Sequence, residues 1–202
     1  FQPIMFLVLF ASVFGGSIEK ALPGGVSYIN FLMAGIIVQT VAFGSTTTAI
    51  AVSTDLKKGI VDRFKSLPMS NLAVLNGHVV SDIFRNAIST TVMIVSGFVI
   101  GFRPQADLMG WLQIIGILLL FTFAFSWLSA IIGVLAKSVE AVQWLTFVII
   151  FPLTFASSAF TPTAGMGKYL KAFAENQPIT QVVESIRALI LGTPIGSYGW
   201  KA

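Results

Sequence analysis

DLKKGIVDRFKSLP, Asp55 to Pro68, is the one strongly charged stretch in a chain otherwise made of long apolar runs. At 3.6 residues per turn, Leu56, Ile60, Phe64 and Leu67 share one stripe, and Lys57, Lys58, Asp62, Arg63 and Lys65 cover the rest. This spacing predicts a short amphipathic helix over Asp55 to Pro68. Thr54 or Asp55 caps its first turn and Pro68 stops it, because the residue before a proline resists the α region. The flanking apolar segments leave no room for a soluble domain. The helix is therefore expected to lie on a membrane surface and to offer one face to a partner.

Composition agrees with that setting. Of 202 residues, 55% are apolar and only 10% charged, whereas soluble domains run near a quarter charged. The mean hydropathy is +0.89. The expected class is all-α, a polytopic helical bundle forming one membrane domain over residues 1–202. The formal charge of +4 comes from Lys and Arg scattered between apolar spans, not gathered on one face, so nucleic acid is not an expected partner. The chain has no cysteine, which excludes disulfides, cysteine-ligated zinc and thiol catalysis.

Working outward from the charged stretch, the preceding run is charge-free from Ala21 to Thr54, with a span expected over Ile29 to Val52. Its second half carries Gln39 and the run Gly44, Ser45, Thr46, Thr47, Thr48. Those hydroxyls are read first as aids to close helix packing, and second, with Gln39, as the lining of a substrate path. Further back, Phe1 to Phe14 reads as a shortened first span, and Gly15 to Ser27 as a loop. On the other side, Asp82 and Arg85 are three apart and are expected to neutralise each other where a third span, Ile83 to Phe102, enters the bilayer. His78, the single histidine, is read as solvated. The third span ends in Gly97-Phe-Val-Ile-Gly101, a pattern that permits close helix approach.

A fourth span is expected from Leu108 to Ala136 and a fifth from Ala141 to Phe160, kinked at Pro152. Thr161 to Gln177 reads as a loop. Pro178 to Leu191 reads as a helix too short to span, lying in the interface or dipping in and returning. Lys57, Lys58, Arg63, Lys65 and Arg85 outnumber Lys20 and Arg103 in the short loops, which places Asp55 to Pro68 in the cytoplasm. Counted whole, with Lys137 inside and Lys168, Lys171, Arg187 and Lys201 outside, the two sides tie at six each; the short loops decide.

Catalytic constellations are not evident. Ala164-Gly-Met-Gly-Lys168 approaches a phosphate loop, but Pro162 stands at the first glycine position and Tyr169 follows the lysine. An energy source, if there is one, belongs to another chain.

Two stretches resemble the permeases of ABC-2 type exporters, most like the daunorubicin-resistance drug-efflux permeases. One is Lys58 to Ser70, KGIVDRFKSLPMS. The other is Glu175 to Gly192, ENQPITQVVESIRALILG, with Pro178, Thr180, Glu184, Arg187 and Gly192, and Phe160 and Pro162 stand ahead of it. The resemblance implies six spans per subunit, of which about five are present here, with part of the first and all of the last missing. It also implies two permease subunits, identical or different, and a separate ATP-binding cassette subunit. That subunit carries ATP and Mg, so no cofactor is expected on this chain. Asp55 to Pro68, with Gly59 among its residues, is then the coupling helix, seated in a groove of the ATPase with Leu56, Ile60 and Phe64 as anchors. The implied function is ATP-driven export of an amphiphilic drug or lipid across a cell membrane, as in a bacterial inner membrane. The rival readings are an ion- or proton-driven transporter, which would need ionisable residues mid-span, a membrane-embedded enzyme, and a scaffold that only anchors a partner.

Overall fold

The computed structural model describes residues 2–19, 22, 26–60, 73–136 and 138–193. Among these residues the regular structure is helical: α1 Gln2–Ile18, α2 Tyr28–Gly44, α3 Thr46–Lys57, α4 Ala73–Ile100, α5 Leu108–Leu135, α6 Val139–Phe155, a short 3-10 turn Thr163–Gly165, α7 Lys168–Asn176 and α8 Pro178–Ile190. Tyr28–Lys57, Val74–Ile100 and Leu108–Leu135 are long and apolar enough to cross a membrane, while Gln2–Gly16 and Val139–Phe155 are shorter apolar helices. The all-α membrane bundle expected from composition is the observed class. Many outward side chains, such as Phe84, Ile88 and Val99 on α4 and Leu112 and Leu120 on α5, are apolar, as a surface in contact with lipid requires.

The chain packs as two compact units. The first draws on Phe1–Thr40, Ser89–Leu118 and Pro152–Ala202, the second on Val41–Ile88 and Leu119–Phe151.

In the first unit α2 is apolar all round and is buried on every side from Phe31 to Val38. Gly35 makes this possible: a Cβ there would overlap the backbone carbonyl of Ala159, so the turn after α6 rests directly on the α2 backbone. Gly97 does similar work, since a Cβ would press on the end of the Met33 side chain. Gly101 has another role. With φ +116° it ends α4, and Gly101 N–H and Phe102 N–H both donate to the Gly97 carbonyl. Only one of the two glycines of that motif is therefore a packing residue.

In the second unit α5 approaches α3 at Gly133, where a Cβ would overlap the Ala49 carbonyl, and the Asn86 amide oxygen of α4 closes on Gly44. Some hydroxyls of this region bond to nearby backbone carbonyls. Ser45, Thr47 and Thr54 donate to the carbonyls of Val41, Gly44 and Ile50, and in the first unit Thr40 donates to Ile36.

Several boundaries differ from the sequence reading. The helix expected to begin at Asp55 does not; Asp55 to Lys57 form the last turn of α3, Lys58 is its C-cap, and Gly59, with φ +68°, ends it. A glycine in the left-handed region is a strong helix stop, and here it outweighs the stripe that Leu56 and Ile60 suggested. Ile60 is helical again, and 61–72, with Asp62, Arg63, Phe64, Lys65, Leu67 and Pro68, lie outside the described residues. α1 runs through Gly15 and Gly16 to Ile18 rather than breaking into a loop there, because helix-interior glycines cost only about 1 kcal/mol each. α4 starts at Ala73, ten residues before the span expected from Ile83. α6 stops at Phe155, short of Phe160, and the expected loop before Gln177 contains α7.

Replacing Gly35 by Val should destabilise the detergent-solubilised protein by about 1–3 kcal/mol, the usual range for overpacking. Gly116 has open space where a Cβ would stand, so Gly116→Ala should hold or raise stability by up to about 1 kcal/mol. Thermal melts of the two variants beside the parent check both.

Candidate functional site

The first unit contains a piece of backbone that helix cannot satisfy. After α6 ends, Ser157, Ser158, Ala159 and Phe160 form a turn in which each residue is at most 4% exposed. Buried peptide groups outside regular structure need partners, and lipid supplies none. They are met by side chains of α8 and α2. The Thr180 hydroxyl accepts from Ser158 N–H at 3.3 Å. Arg187 Nη2 donates to the Ser158 carbonyl at 2.6 Å, and Tyr28 Oη donates to the Phe160 carbonyl at 3.1 Å. Near the end of α6, Gln177 Nε2 donates to the Leu153 carbonyl at 2.9 Å.

Arg187 is the centre of this arrangement. Its Nε donates to the Phe31 carbonyl at 3.3 Å, its Nη1 pairs with Glu184, and its guanidinium carbon lies 3.6 Å from the centroid of the Phe31 ring. Burial pushes the guanidinium below its ordinary range, and the neighbouring Glu184 carboxylate pulls it back up. A guanidinium keeps its proton in proteins, so a charge is held inside the unit by an ion pair, backbone carbonyls and one aromatic face.

The helix that delivers these groups is itself tightly specified. Gln177 caps α8 by accepting from Ile179 N–H, and Pro178 occupies the first turn, where no donor is needed. At the other end Gly192, with φ +67°, donates to Leu189 O, and Thr193 N–H donates to Ala188 O. These two bonds make a Schellman stop. Pro178, Thr180, Glu184, Arg187 and Gly192 thus occupy one helix as start, contact, ion pair and end. Ten of its thirteen residues are buried, so α8 is packed into protein and does not lie on a surface as an interfacial helix would. The exposed apolar residues of this region are Tyr169, Leu170 and Phe173 of α7. Sequence reasoning did not find Tyr28, Gln177 or Ser158. Only the Gln-Pro step at 177–178 could have drawn attention to the cap.

In the second unit the described part of the coupling segment is the end of α3. Leu56, Lys57 and Lys58 are exposed, while Gly59 and Ile60 are half-buried. Asp55 is held by His78 of α4, Oδ2 to Nε2 2.9 Å, so His78 is not simply solvated. Asp82 and Arg85 pair as expected at 2.6 Å. Asp82 is nonetheless fully buried, and it accepts a second hydrogen bond from Ser126 of α5. It lies inside the Val74–Ile100 stretch, which begins earlier than the third span expected from Ile83. Among the path candidates, Gln39 and Thr48 are buried with Gln39 Oε1 and Thr48 Oγ1 unpartnered, Thr46 is half-buried, and Thr47 is exposed. Among the described residues no three metal-ligating side chains converge.

Residues 1–191 match the family described as ABC-2 type transporter. The chain is 29% identical over 192 residues to the daunorubicin resistance ABC transporter permease protein DrrB1 of Streptomyces coeruleorubidus, covering 95% of this chain and 67% of that protein. It is 27% identical over 195 residues to the doxorubicin resistance ABC transporter permease protein DrrB of Mycobacterium tuberculosis, covering 93% and 66%. The chain spans about two thirds of the length of these relatives.

Arg187→Met keeps the side chain's length and removes its charge, leaving Glu184 and the Ser158 and Phe31 carbonyls without their donor. Breaking a buried pair from one side costs about 3–5 kcal/mol. The variant should lose most of its folded yield, and Thr180→Val should cost about 1–3 kcal/mol. Folded fraction by size-exclusion profile in detergent, followed by a melt, checks the order.

Proposed function

The chain belongs to the ABC-2 type transporter family, and from that premise we propose that it is the membrane-spanning permease subunit of an ATP-binding cassette exporter. It moves an amphiphilic, drug- or lipid-like molecule out of the cell with ATP hydrolysed on a separate subunit. The observation that carries the reading is the charged segment Asp55 to Pro68, which leaves a stretch long enough to cross a membrane, Tyr28–Lys57, and precedes another, Val74–Ile100. An amphipathic element in that position, with Leu56, Lys57 and Lys58 uncovered, suits a helix-in-groove contact with a soluble partner.

In this reading the partner is the ATP-binding cassette subunit, which holds ATP and Mg. A second permease, identical or different, completes the transporter in a bacterial inner membrane. Nucleotide binding draws the ATPase pair together, the coupling segments follow, and the helices alternate between inward and outward access. The names of the relatives, which speak of daunorubicin and doxorubicin resistance, favour a planar aromatic amphiphile as substrate. An ion-driven cycle is less well supported, because the buried acid, Asp82, is already neutralised by Arg85 and hydrogen-bonded by Ser126. Gln39 and Thr46 to Thr48 remain the polar residues proposed for the path.

Phe64 is the largest apolar residue of the proposed contact. Phe64→Asp should abolish co-purification with the ATPase subunit while membrane insertion stays intact; a variant that still binds the ATPase and shows normal drug-stimulated ATP hydrolysis would sink the coupling role. Because the chain has no cysteine, Arg63→Cys introduces a unique label. It should react with an impermeant maleimide only from the cytoplasmic side and crosslink to the ATPase subunit. Labelling from outside overturns the orientation, and labelling from inside with no crosslink favours the ion-driven or scaffold reading.

A further inference from the structure

The charged segment must transmit a push, and a push on a loop moves the helices at its ends only if those ends are held together. Asp55 stands at the last turn of α3 and His78 in the second turn of α4, and their side chains meet at 2.9 Å. The pair is 23 residues apart in sequence, and the whole of Lys58 to Ser70, the stretch that resembles the family's cytoplasmic segment, lies between them. Closing a loop of this length costs entropy that grows as its logarithm. The contact between Asp55 and His78 offsets part of that cost where the segment leaves and re-enters the bundle.

The surroundings favour a fixed junction. Both side chains are about three-quarters buried, at 25% and 22% exposed. They border a small apolar cavity of about 50 Å³, lined also by Val52 and Leu56 of α3, Val74 and Leu75 of α4, and Val134 of α5. Apolar walls strengthen a hydrogen-bonded charged or polar pair relative to one in open water. Among the described residues, the other charges of this unit are otherwise engaged or exposed. Lys57 and Lys58 at the end of α3 are exposed, and Glu140 at the start of α6 interacts with Lys57. Asp82, one turn beyond His78, is taken by Arg85 and Ser126. Val134 is the residue that α5 contributes to the cavity wall, and it carries no charge.

We propose that the Asp55–His78 pair is a clip that fixes the two stems of the coupling segment to each other, so that movement imposed on the segment reaches α3 and α4 together. In this proposal both are positioning residues, acting through the segment. The proposal rests on the coupling role proposed above, and the test separates the two.

The full chain is co-expressed with its ATP-binding subunit, and inside-out vesicles are assayed for ATPase co-purification, for ATP hydrolysis and for ATP-driven uptake of daunorubicin as a fluorescent probe. The variants are Asp55→Ala, His78→Ala and the exchanged pair Asp55→His with His78→Asp. The single variants should keep the ATPase subunit bound and hydrolysing, but transport per ATP hydrolysed should fall roughly five-fold, the scale of one partly buried side-chain hydrogen bond. The exchanged pair should recover to within about two-fold of the parent, because it restores the same two groups in the same place. A merely structural role would lower uptake, hydrolysis and folded yield together and leave their ratio unchanged. Single variants with the parental transport per ATP overturn the clip, as does an exchanged pair no better than either single. If the parent itself neither retains an ATPase subunit nor takes up the probe on ATP addition, the coupling reading fails and the clip with it.

Discussion

A backbone carbonyl buried away from water has to find a donor, and the turn from Ser157 to Phe160 is where that constraint governs the first unit. α6 carries Pro152 and ends at Phe155, so the next peptide groups cannot be satisfied by continuing the helix. The solution is to bring other elements to them. Thr180 and Arg187 arrive from α8, Tyr28 from α2, and Gln177 reaches back to Leu153. Gly35 clears the space that lets the turn rest on α2. Removing any one of these groups leaves a polar atom stranded, which explains why residues of such different chemistry cluster in one place.

The same constraint sets what could be read in advance. Apolar runs between Tyr28 and Leu135 are long, so the helical class and three long apolar stretches followed from hydropathy, and the Asp82–Arg85 pair followed from i,i+3 spacing. Helix ends were harder. Gly59 was read as lying inside an amphipathic helix, yet its left-handed backbone ends α3; Gly101 looked like a packing glycine, yet it ends α4. A single glycine has the same letter in both roles, and only the surrounding backbone separates them. Long-range partners were invisible for a related reason. Nothing local to His78 points to Asp55, and nothing local to Tyr28 points to Phe160. α7 was missed because KYLKAFAEN is short and sits between a glycine and a proline, which read as a loop.

In the second unit the polar groups are arranged differently. Instead of feeding a broken backbone, they pair side chain to side chain, with Asp82 held by Arg85 and Ser126 and Asp55 by His78. Close backbone approach at Gly133 brings α5 onto α3, and the Asn86 side chain of α4 closes on Gly44 at the end of α2. The end of α3 and the start of α4, which flank the charged segment in sequence, are thus tied to one another through Asp55 and His78.

The clamp around Arg187 also has a bearing on biogenesis. Tyr28 and Phe31 are separated from their partners Phe160 and Arg187 by 132 and 156 residues of chain. At synthesis rates of roughly 5–20 residues per second, α2 waits on the order of ten seconds before the arginine that braces it exists. During that interval α2, apolar on every side, can lie against lipid and against helices already made, such as α4 at Gly97, but not against the arginine. The first unit is therefore completed last, and a ribosome that stalls before Arg187 leaves a nascent protein whose central helix has been made but whose keystone has not.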